Sequence, residues 1–300
     1  MKVLVFGSLN IDYVYKVDHF ARPGETLSSR EMNRFCGGKG LNQSVAFGRS
    51  GAETYHAGAV GIHDWDMLTG RLKEAGVRTE LIRKKEGPSG HAIIQTTPEG
   101  ENSIILYRGA NGRITREDVD FVLSHFQKGD ILALQNEINQ LPYIMERAKS
   151  LGMKIVMNPS PVDEEILKLP LASADYLILN EVEGEAISKV SSREEEGMLT
   201  ELMRLFPDTR IVLTLGKNGS LYGYRNKICR QAACQAKAVD TTAAGDTFTG
   251  FFMGSIIRGK SEEEALEIAS AAAAIAVGRE GASSSIPDLK EVEAYGREKL

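Results

Sequence analysis

Short apolar runs alternate with longer amphipathic segments along most of the chain. Buried β-strands are predicted for five runs: Lys2–Phe6, Asp130–Leu134, Lys154–Met157, Tyr176–Leu179 and Arg210–Thr214. Helices are predicted for four segments: Asn42–Ser50, Asp64–Ala75, Leu141–Ser150 and Thr247–Ile257. Strands that alternate with helices pair in parallel through crossover connections, so the pattern predicts one α/β domain over residues 1–300 with a mostly parallel sheet.

Four segments do not fit this alternation. Ile11–Tyr15 and Glu25–Phe35 have an extended pattern, and Ala92–Thr97 and Ser103–Tyr107 flank a turn-rich stretch typical of a β-hairpin. Together they predict a small separate sheet, formed by about residues 11–36 and 88–108. Ligands of parallel sheets bind at the carboxyl ends of the strands, so this small sheet is interpreted as a lid over a ligand site. The alternative is an edge hairpin with no function.

Composition and charge narrow the class of partner. The 300 residues include 36 Lys and Arg against 41 Asp and Glu, a net charge of −5, and 42% of them are apolar. A net negative chain argues against a broad nucleic-acid or anionic-membrane surface. We see no secretory signal and no apolar run long enough to cross a bilayer, which predicts a cytoplasmic protein. Three cysteines without a CxxC pair (Cys36, Cys229 and Cys234) are interpreted as free thiols in a reducing compartment.

The most informative segment runs from Val239 to Gly250, VDTTAAGDTFTG. Small residues at 243–245 allow a tight turn, and the helix that follows would direct free N–H groups and its positive dipole end at one point, which suits a phosphate. Asp246 lies at this helix start. It is either a general base that accepts a proton from a hydroxyl attacking a phosphoryl group, or an ordinary helix N-cap.

A second phosphate motif is a coincidence of sequence. Residues 254–261, GSIIRGKS, match the pattern of a P-loop, which needs a strand before it and a helix after it. Here Gly254 lies inside a predicted helix, Gly259 is placed to end that helix, and Ser261 with Glu264 forms a predicted capping box.

Polar residues follow several of the predicted strands. Asn10 and Asp12 follow the first strand, and the segment Gly37–Asn42, GGKGLN, opens a helix. Later strands are followed by the polar residues Glu137, Asn158, Asn180 and Glu183, and by Gly216. The chain lacks GxGxxG after the first strand, which argues against a dinucleotide site, whereas short amides and carboxylates at one sheet edge suit a polyhydroxylated ligand.

Taken together, these segments resemble the ribokinase-like (PfkB) family of carbohydrate kinases, from Gly7 to Pro287. The most specific segments are Gly37–Gln43 and Asp240–Phe248. The resemblance implies a three-layer α/β/α Rossmann-like fold with a β-sheet lid that also forms a homodimer contact. It further implies ATP-dependent phosphorylation of a primary hydroxyl of a sugar, above all O5 of D-ribose, with Mg²⁺ and activation by K⁺.

The resemblance also assigns roles residue by residue. Asp246 matches the catalytic base, and the backbone amides of Ala243, Ala244, Gly245 and Asp246 match the anion hole. Sugar-contacting positions correspond to Asn10, Asp12, Gly38, Lys39, Gly40, Asn42 and Glu137. Nucleotide and phosphate positions correspond to Asn180, Glu183, Thr214, Gly216, Lys217, Asn218, Gly219 and Gly245. The ligands of the monovalent cation correspond to Asp240, Thr242, Ala276, Arg279, Gly281 and Ser285, several of them through backbone carbonyls.

Three residues depart from the usual family pattern. Leu41 stands where Ala is usual, Cys36 precedes the paired glycines, and His91 is bulky for the predicted hairpin. Leu41 and His91 are expected to reshape the sugar pocket, which motivates another acceptor: a deoxyribose, another pentose or hexose, or a nucleoside. A non-catalytic sugar sensor on the same fold is a third hypothesis, which the presence of Gly245 and Asp246 disfavours.

Overall fold

The computed structural model describes residues 1–299, with side-chain surroundings for residues 1–296. Thirteen β-strands fall within this described part: β1 (Val3–Phe6), β2 (Asn10–Lys16), β3 (Glu31–Gly37), β4 (Thr54–Gly61), β5 (Arg78–Lys85), β6 (Gly90–Thr96), β7 (Asn102–Tyr107), β8 (Ile131–Gln135), β9 (Lys154–Asn158), β10 (Tyr176–Asn180), β11 (Arg210–Thr214), β12 (Ser220–Tyr224) and β13 (Lys227–Gln231). They form two separate sheets of nine and four strands.

The nine-stranded sheet has the order β13-β12-β11-β10-β9-β8-β1-β4-β5. Seven neighbouring strands, from β11 to β5, run parallel, and the β12–β13 hairpin adds two antiparallel strands at one edge. The chain first extends the sheet from β1 towards β5 and then returns to extend it from β8 towards β13. Ligands bind at the carboxyl edge near such a reversal, which here lies between β1 and β8.

Helices cover both faces of this sheet. Within residues 1–299 they are α1 (Lys39–Arg49), α2 (Trp65–Glu74), α3 (Arg116–Leu123), α4 (Leu141–Ser150), α5 (Glu181–Ser188), α6 (Glu195–Leu205), α7 (Ala244–Ile257), α8 (Glu262–Val277) and α9 (Leu289–Lys299). Alternate residues of β1 enter different cores, since Leu4 packs with residues of α3–α6 and Val5 packs with residues of α1, α2 and α7–α9. The predicted three-layer α/β/α architecture is confirmed.

The small sheet, formed by β2, β3, β6 and β7, has the order β3-β2-β6-β7. Strands β2 and β6 pair in parallel, and each outer strand is antiparallel to its neighbour. The predicted small separate sheet is therefore confirmed, although residues 25–30 lie outside its strands. Because side chains alternate across a strand, Asn10 and Asp12 share one face of β2 with Gly90 and Ala92 of β6.

Several local predictions can be compared directly with the structure. The P-loop match is excluded, because Gly254 lies within α7, Gly259 has a positive φ of 81°, and Ser261 with Glu264 forms a capping box. The three cysteines are free. Four strands were not predicted: β4, β5, β12 and β13. Among the helices of residues 1–299, none is both long and apolar enough to span a membrane.

Candidate active site

An open pocket of about 180 Å³ lies at the carboxyl ends of β9, β10 and β11, against the start of α7. Its lining combines polar side chains with the turn before α7: Lys39, Asn158, Ser160, Ile178, Leu179, Asn180, Glu183, Thr214, Thr241, Ala243, Ala244, Gly245, Asp246 and Thr249. The structure thus brings the predicted base, the predicted anion hole and three predicted nucleotide positions into one space.

The turn before α7 carries the N–H groups predicted to bind phosphate. Ala243 is the N-cap residue with a left-handed φ of 61°, a conformation that non-glycine residues adopt at a cost and mainly at functional sites. The N–H of Ala244 donates to Thr241 O at 3.2 Å. Within residues 1–296, the N–H groups of Gly245 and Asp246 meet no acceptor, so they and the helix dipole are available to an anion.

Asp246 lies in the first turn of α7, three residues past the N-cap. The N-cap alternative is therefore wrong, since Ala243 occupies that position. The carboxylate is only 6% exposed and accepts two hydrogen bonds from α1, from Asn42 Nδ2 at 3.1 Å and from Gln43 Nε2 at 3.0 Å. These bonds leave lone pairs on both oxygens, so the carboxylate can still accept a proton from a ligand in the pocket.

Behind Asp246 lies a chain of side-chain amides that was not predicted from the sequence as part of the site. Gln43 Nε2 also donates to Asn158 Oδ1 at 3.2 Å, and Gln43 Oε1 accepts from Gln135 Nε2 at 2.6 Å. Asn158 in turn donates to Ile178 O at 2.8 Å. The available signal was the polar run 42–44, Asn-Gln-Ser, on a helix whose neighbouring residues are buried.

Glu137 anchors a second polar cluster beside the pocket, at the end of β8. Its carboxylate accepts from the hydroxyl of Ser8 and from the N–H of Lys39, the latter at 2.9 Å. Burial raises the pKa of Glu137 above its ordinary value, although these donors act in the opposite direction. Burial, together with the charge of Glu137, raises the pKa of Asp12 to about 7. Two carboxylates with raised pKa values thus lie close together, as occurs at functional sites.

Asn10 lies on the same face of β2 as Asp12. Its Oδ1 accepts from Asn111 Nδ2 at 2.7 Å, and Asn111 Oδ1 accepts from the N–H of Leu9 at 3.1 Å. A Cβ on Gly90 would lie 2.1 Å from Asn111 Nδ2 and 2.2 Å from Asn10 Oδ1, so this amide pair requires glycine at position 90. Asn111 was not predicted as a site residue.

Lys39, the first residue of α1, connects the two clusters. Its N–H donates to Glu137, and its side chain lines the pocket with Asp246 and Glu183. Burial lowers the pKa of the Lys39 ammonium. The neighbouring carboxylates Asp246, Glu137 and Glu183 raise it by more than burial lowers it, so this pKa lies above its ordinary value. The side chain therefore carries a positive charge into the pocket. Gly38, with a φ of 91°, and Gly40 flank it in the glycine turn.

The predicted nucleotide positions divide into two groups. Asn180 and Glu183 form a capping box at the start of α5, in which Asn180 N donates to Glu183 Oε2 at 2.9 Å, and Glu183 is 4% exposed. They line the pocket together with Thr214. The group Gly216, Lys217, Asn218 and Gly219 forms the turn after β11, outside the pocket lining. Asn218 Nδ2 donates to Glu195 Oε1 of α6 at 2.8 Å.

Three of the residues predicted to bind a monovalent cation, Asp240, Thr242 and Gly281, are joined by hydrogen bonds just before the α7 turn. Asp240 accepts from Thr242 N at 2.8 Å and from Gly281 N at 3.0 Å, which joins the segments before α7 and after α8. The Arg279 guanidinium donates to Glu291 Oε1 at 2.6 Å. Because a guanidinium has no acceptor atom, Arg279 could bind a cation only through its backbone carbonyl. A carboxylate and backbone carbonyls are hard oxygen donors, which fit K⁺ in chemical type. The remaining predicted ligands are Ala276 and Ser285.

The structure contradicts the prediction that Leu41 and His91 reshape the sugar pocket. Leu41 is fully buried in the apolar core that contains α1 and α7. His91 pairs with Ile11, so it lies on the face of the small sheet opposite Asp12, where its ring contacts Tyr13 and Tyr107. Neither side chain reaches the polar cluster.

Comparison with known proteins places this site in a family. Residues 1–289 match the pfkB family carbohydrate kinases. The chain is 33% identical over 303 residues to a ribokinase of Staphylococcus aureus, covering 97% of this chain and 98% of that protein. A ribokinase crystal structure from Thermotoga maritima is similar with a TM-score of 0.84 and 37% identity, covering 99% of both chains. The structure of an Arabidopsis thaliana ribokinase complexed with ribose and ATP has a TM-score of 0.85 at 28% identity, covering 98% of both chains.

The matched range includes both glycine turns, the Asp246 helix and the small sheet. The fold agrees with that of these relatives over nearly the whole chain. The chain belongs to the pfkB family of carbohydrate kinases.

Proposed function

We propose that this kinase transfers the γ-phosphoryl group of ATP to O5 of D-ribose, giving ribose 5-phosphate and ADP. The observation that carries the proposal is the position of the Asp246 carboxylate. It lies beside the free N–H groups that suit a phosphate, in a pocket also lined by Lys39, whose N–H donates to Glu137 of the second polar cluster. The complex of the Arabidopsis relative with ribose and ATP supports the choice of both substrates.

The sugar side of the site offers a mixture of donors and acceptors. Asp12 and Glu137 accept from hydroxyl groups, and Asn42 presents a buried Oδ1 that has no partner within residues 1–296. A buried amide oxygen without a partner costs stability unless a ligand supplies a donor. These groups together suit a small polyol whose hydroxyls each donate and accept one hydrogen bond.

In the proposed reaction, Asp246 accepts the proton of the sugar O5 hydroxyl as O5 forms its bond to the γ-phosphorus. The bond between that phosphorus and the bridging oxygen breaks, and ADP keeps the electron pair. The N–H groups of Gly245 and Asp246, at the positive end of α7, stabilise charge on the transferred phosphoryl oxygens. Lys39 adds a positive charge to the lining of the pocket.

The chemistry that Mg²⁺ would supply when bound is neutralisation of charge on the ATP phosphates. Asn180 and Glu183 would hold the ion through its water shell, and the buried Glu183 carboxylate fits a hard cation. Within the described residues no three acidic, His or Cys side chains converge to chelate a metal directly. This arrangement suits a metal bound chiefly by water and phosphate oxygens.

We further propose a K⁺ site at Asp240, with Thr242, Ala276, Arg279, Gly281 and Ser285. The hydrogen bonds that the N–H groups of Thr242 and Gly281 donate to Asp240 support this proposal, because they fix a carboxylate directly before the α7 turn. A cation there would stiffen the turn whose N–H groups face the phosphate.

The small sheet is proposed to act both as a lid over the sugar and as a dimer contact. Ile104, Ile105, Leu106 and Tyr107 of its edge strand β7 are all more than 40% exposed, on both faces of the strand. An exposed apolar edge strand is a site for pairing with a second copy of the chain. Ile105→Lys is expected to convert a dimer to a monomer in light scattering, and a monomeric wild type would contradict the proposal.

A panel of acceptors tests the proposed reaction. ADP release is measured with D-ribose, 2-deoxyribose, other pentoses and hexoses and nucleosides, each with Mg²⁺ and with or without K⁺, and ³¹P NMR locates the phosphate on the product. A clear preference for ribose, with phosphate on O5 and activation by K⁺, is expected. A preference for another acceptor would redirect the assignment, and sugar binding without ADP release would identify a sensor instead.

A further inference from the structure

Gln43 is buried next to the reacting groups but does not line the pocket. It is 1% exposed and lies on α1, directly after Asn42. Its Nε2 atom donates both to Asp246 Oδ1 and to Asn158 Oδ1. Nothing in the proposed reaction requires Gln43 to touch sugar or ATP, so its contribution must pass through Asp246.

The orientation of this amide is fixed by its neighbours. Asn158 donates to the carbonyl oxygen of Ile178, which can only accept, so Asn158 must turn its own oxygen towards Gln43. An ionised Asp246 can also only accept. Gln43 must therefore present Nε2 to both groups and Oε1 to Gln135, which donates to it at 2.6 Å.

We propose that Gln43 is a positioning residue, which holds the Asp246 carboxylate in the orientation and the ionised state needed to take the hydroxyl proton. Asn42 holds the second carboxylate oxygen, so the two amides together fix the plane of the carboxylate. Gln135 and Asn158 keep Gln43 from rotating. This inference rests on the proposed function, specifically on Asp246 as the base.

Removal of the Gln43 amide should have two measurable effects on the kinetics. An N–H donor to a carboxylate favours its ionised form, so removing the donor moves the acidic limb of kcat against pH to higher pH. Loss of alignment at a reacting group lowers kcat rather than substrate affinity. The charged groups that face Asp246 are Lys39, Glu137 and Glu183, and they remain in every variant.

The central variant is Gln43→Met, which keeps the volume and removes the amide. We expect kcat to fall about 10- to 100-fold, the KM values for sugar and ATP to change little, and the acidic limb to move to higher pH. The matched control is Thr209→Val, which removes the buried hydrogen bond to Ala174 O at the amino edge of β11. It is expected to lower stability without changing kcat or the pH profile.

Two further measurements separate the possible failures. Gln43→Met in an Asp246→Asn background is expected to cause no additional loss, because both changes affect the same step. Full activity of Asp246→Asn alone would overturn the base assignment itself. If Asp246→Asn is inactive, two results for Gln43→Met would overturn only the positioning role. They are a kcat equal to that of the wild type, and a lower kcat whose acidic limb lies at the same pH as in the wild type.

A second variant covers the case in which Gln43→Met does not fold. Gln135→Met leaves Gln43 in place and removes only the donor that holds its Oε1. A smaller fall in kcat with the same direction of pH shift is expected, and an unchanged acidic limb would refute the proposal.

Discussion

Gly250 allows helix α7 to pack directly on the backbone of helix α1. A Cβ at this position would lie 2.4 Å from Ala46 Cβ and 2.8 Å from Phe47 N, whereas carbon atoms in ordinary contact are about 3.5–4.0 Å apart. Gly250→Ala must therefore separate the two helices locally by about 1 Å. Asp246 lies one turn before Gly250, and its partner Asn42 lies one turn before Ala46.

The separation is transmitted to the site because the carboxylate is on one helix and its two amide partners are on the other. A misplacement of about 1 Å costs about 100-fold in rate, which is the fall in kcat expected for Gly250→Ala. Overpacking also lowers the free energy of unfolding by about 1–3 kcal/mol. The better helix propensity of Ala offsets up to about 1 kcal/mol of this loss. Coupled ADP-release kinetics and urea unfolding measure the two effects.

Gly254→Ala is the matched control on the same helix face. A Cβ there would lie 2.7 Å from Ser50 Cβ, so the packing is equally tight, but the site is two turns away from Asp246. A comparable loss of stability with nearly normal kcat is expected. If Gly250→Ala folds and keeps the kcat of the wild type, the reasoning that this contact aligns the carboxylate is wrong.

Three other changes test separate parts of the molecule. Asp246→Asn is expected to lower kcat about 10²- to 10⁴-fold with little change in ATP affinity, and near-normal turnover would exclude a general base at this position. Because the pKa of Asp12 is about 7, kcat/KM for the sugar is expected to fall as pH drops below about 7, where protonation removes an acceptor for sugar hydroxyls. Asp12→Asn should abolish that limb, and an unchanged profile would contradict the assignment. Burial lowers the pKa of His56 to about 3, so the folded state excludes a proton that the unfolded chain binds below about pH 6.5. The contribution of His56 to the free energy of unfolding is fully present above about pH 6.5. It falls by about 1.4 kcal/mol per pH unit as pH drops towards 3. Urea unfolding between about pH 6 and about pH 4 measures how the free energy of unfolding depends on pH. His56→Gln should remove the part of this dependence that His56 contributes, and equal slopes for the wild type and the variant would refute the prediction.

The strands and helices of the large sheet could be predicted because the hydrophobic pattern and the turns that bound each element lie within or next to that element in the sequence. Apolar runs such as Tyr176–Leu179 and amphipathic segments such as Leu141–Ser150 are bounded by turns, and the structure places them within a residue of prediction. Strand β4 was missed because Thr54–Gly61 mixes His56 with small residues and lacks a continuous apolar run. The β12–β13 hairpin was missed because its turn depends on Arg225 in a left-handed conformation, with a φ of 52°.

The site was predictable as a set of motifs but not as a set of contacts. Resemblance pointed to Asp246 and to the glycine turns, whereas the roles of Gln43 and Gln135 depend on pairings between distant helices and strands. His91 was misplaced for a similar reason. Its face of the small sheet depends on the register of β6 against β2, and a shift of one residue reverses every side chain.

The hydrogen bond between Asn42 and Asp246 joins residues 204 positions apart in the chain. During synthesis, α1 emerges long before α7, so a nascent chain has its glycine turn and the carboxylates of Asp12 and Glu137 without Asp246, the proposed base. Closing so long a loop costs conformational entropy, so this contact is expected to form late in folding. Under the proposed function, a chain that does not yet include α7 is expected to transfer no phosphoryl group from ATP.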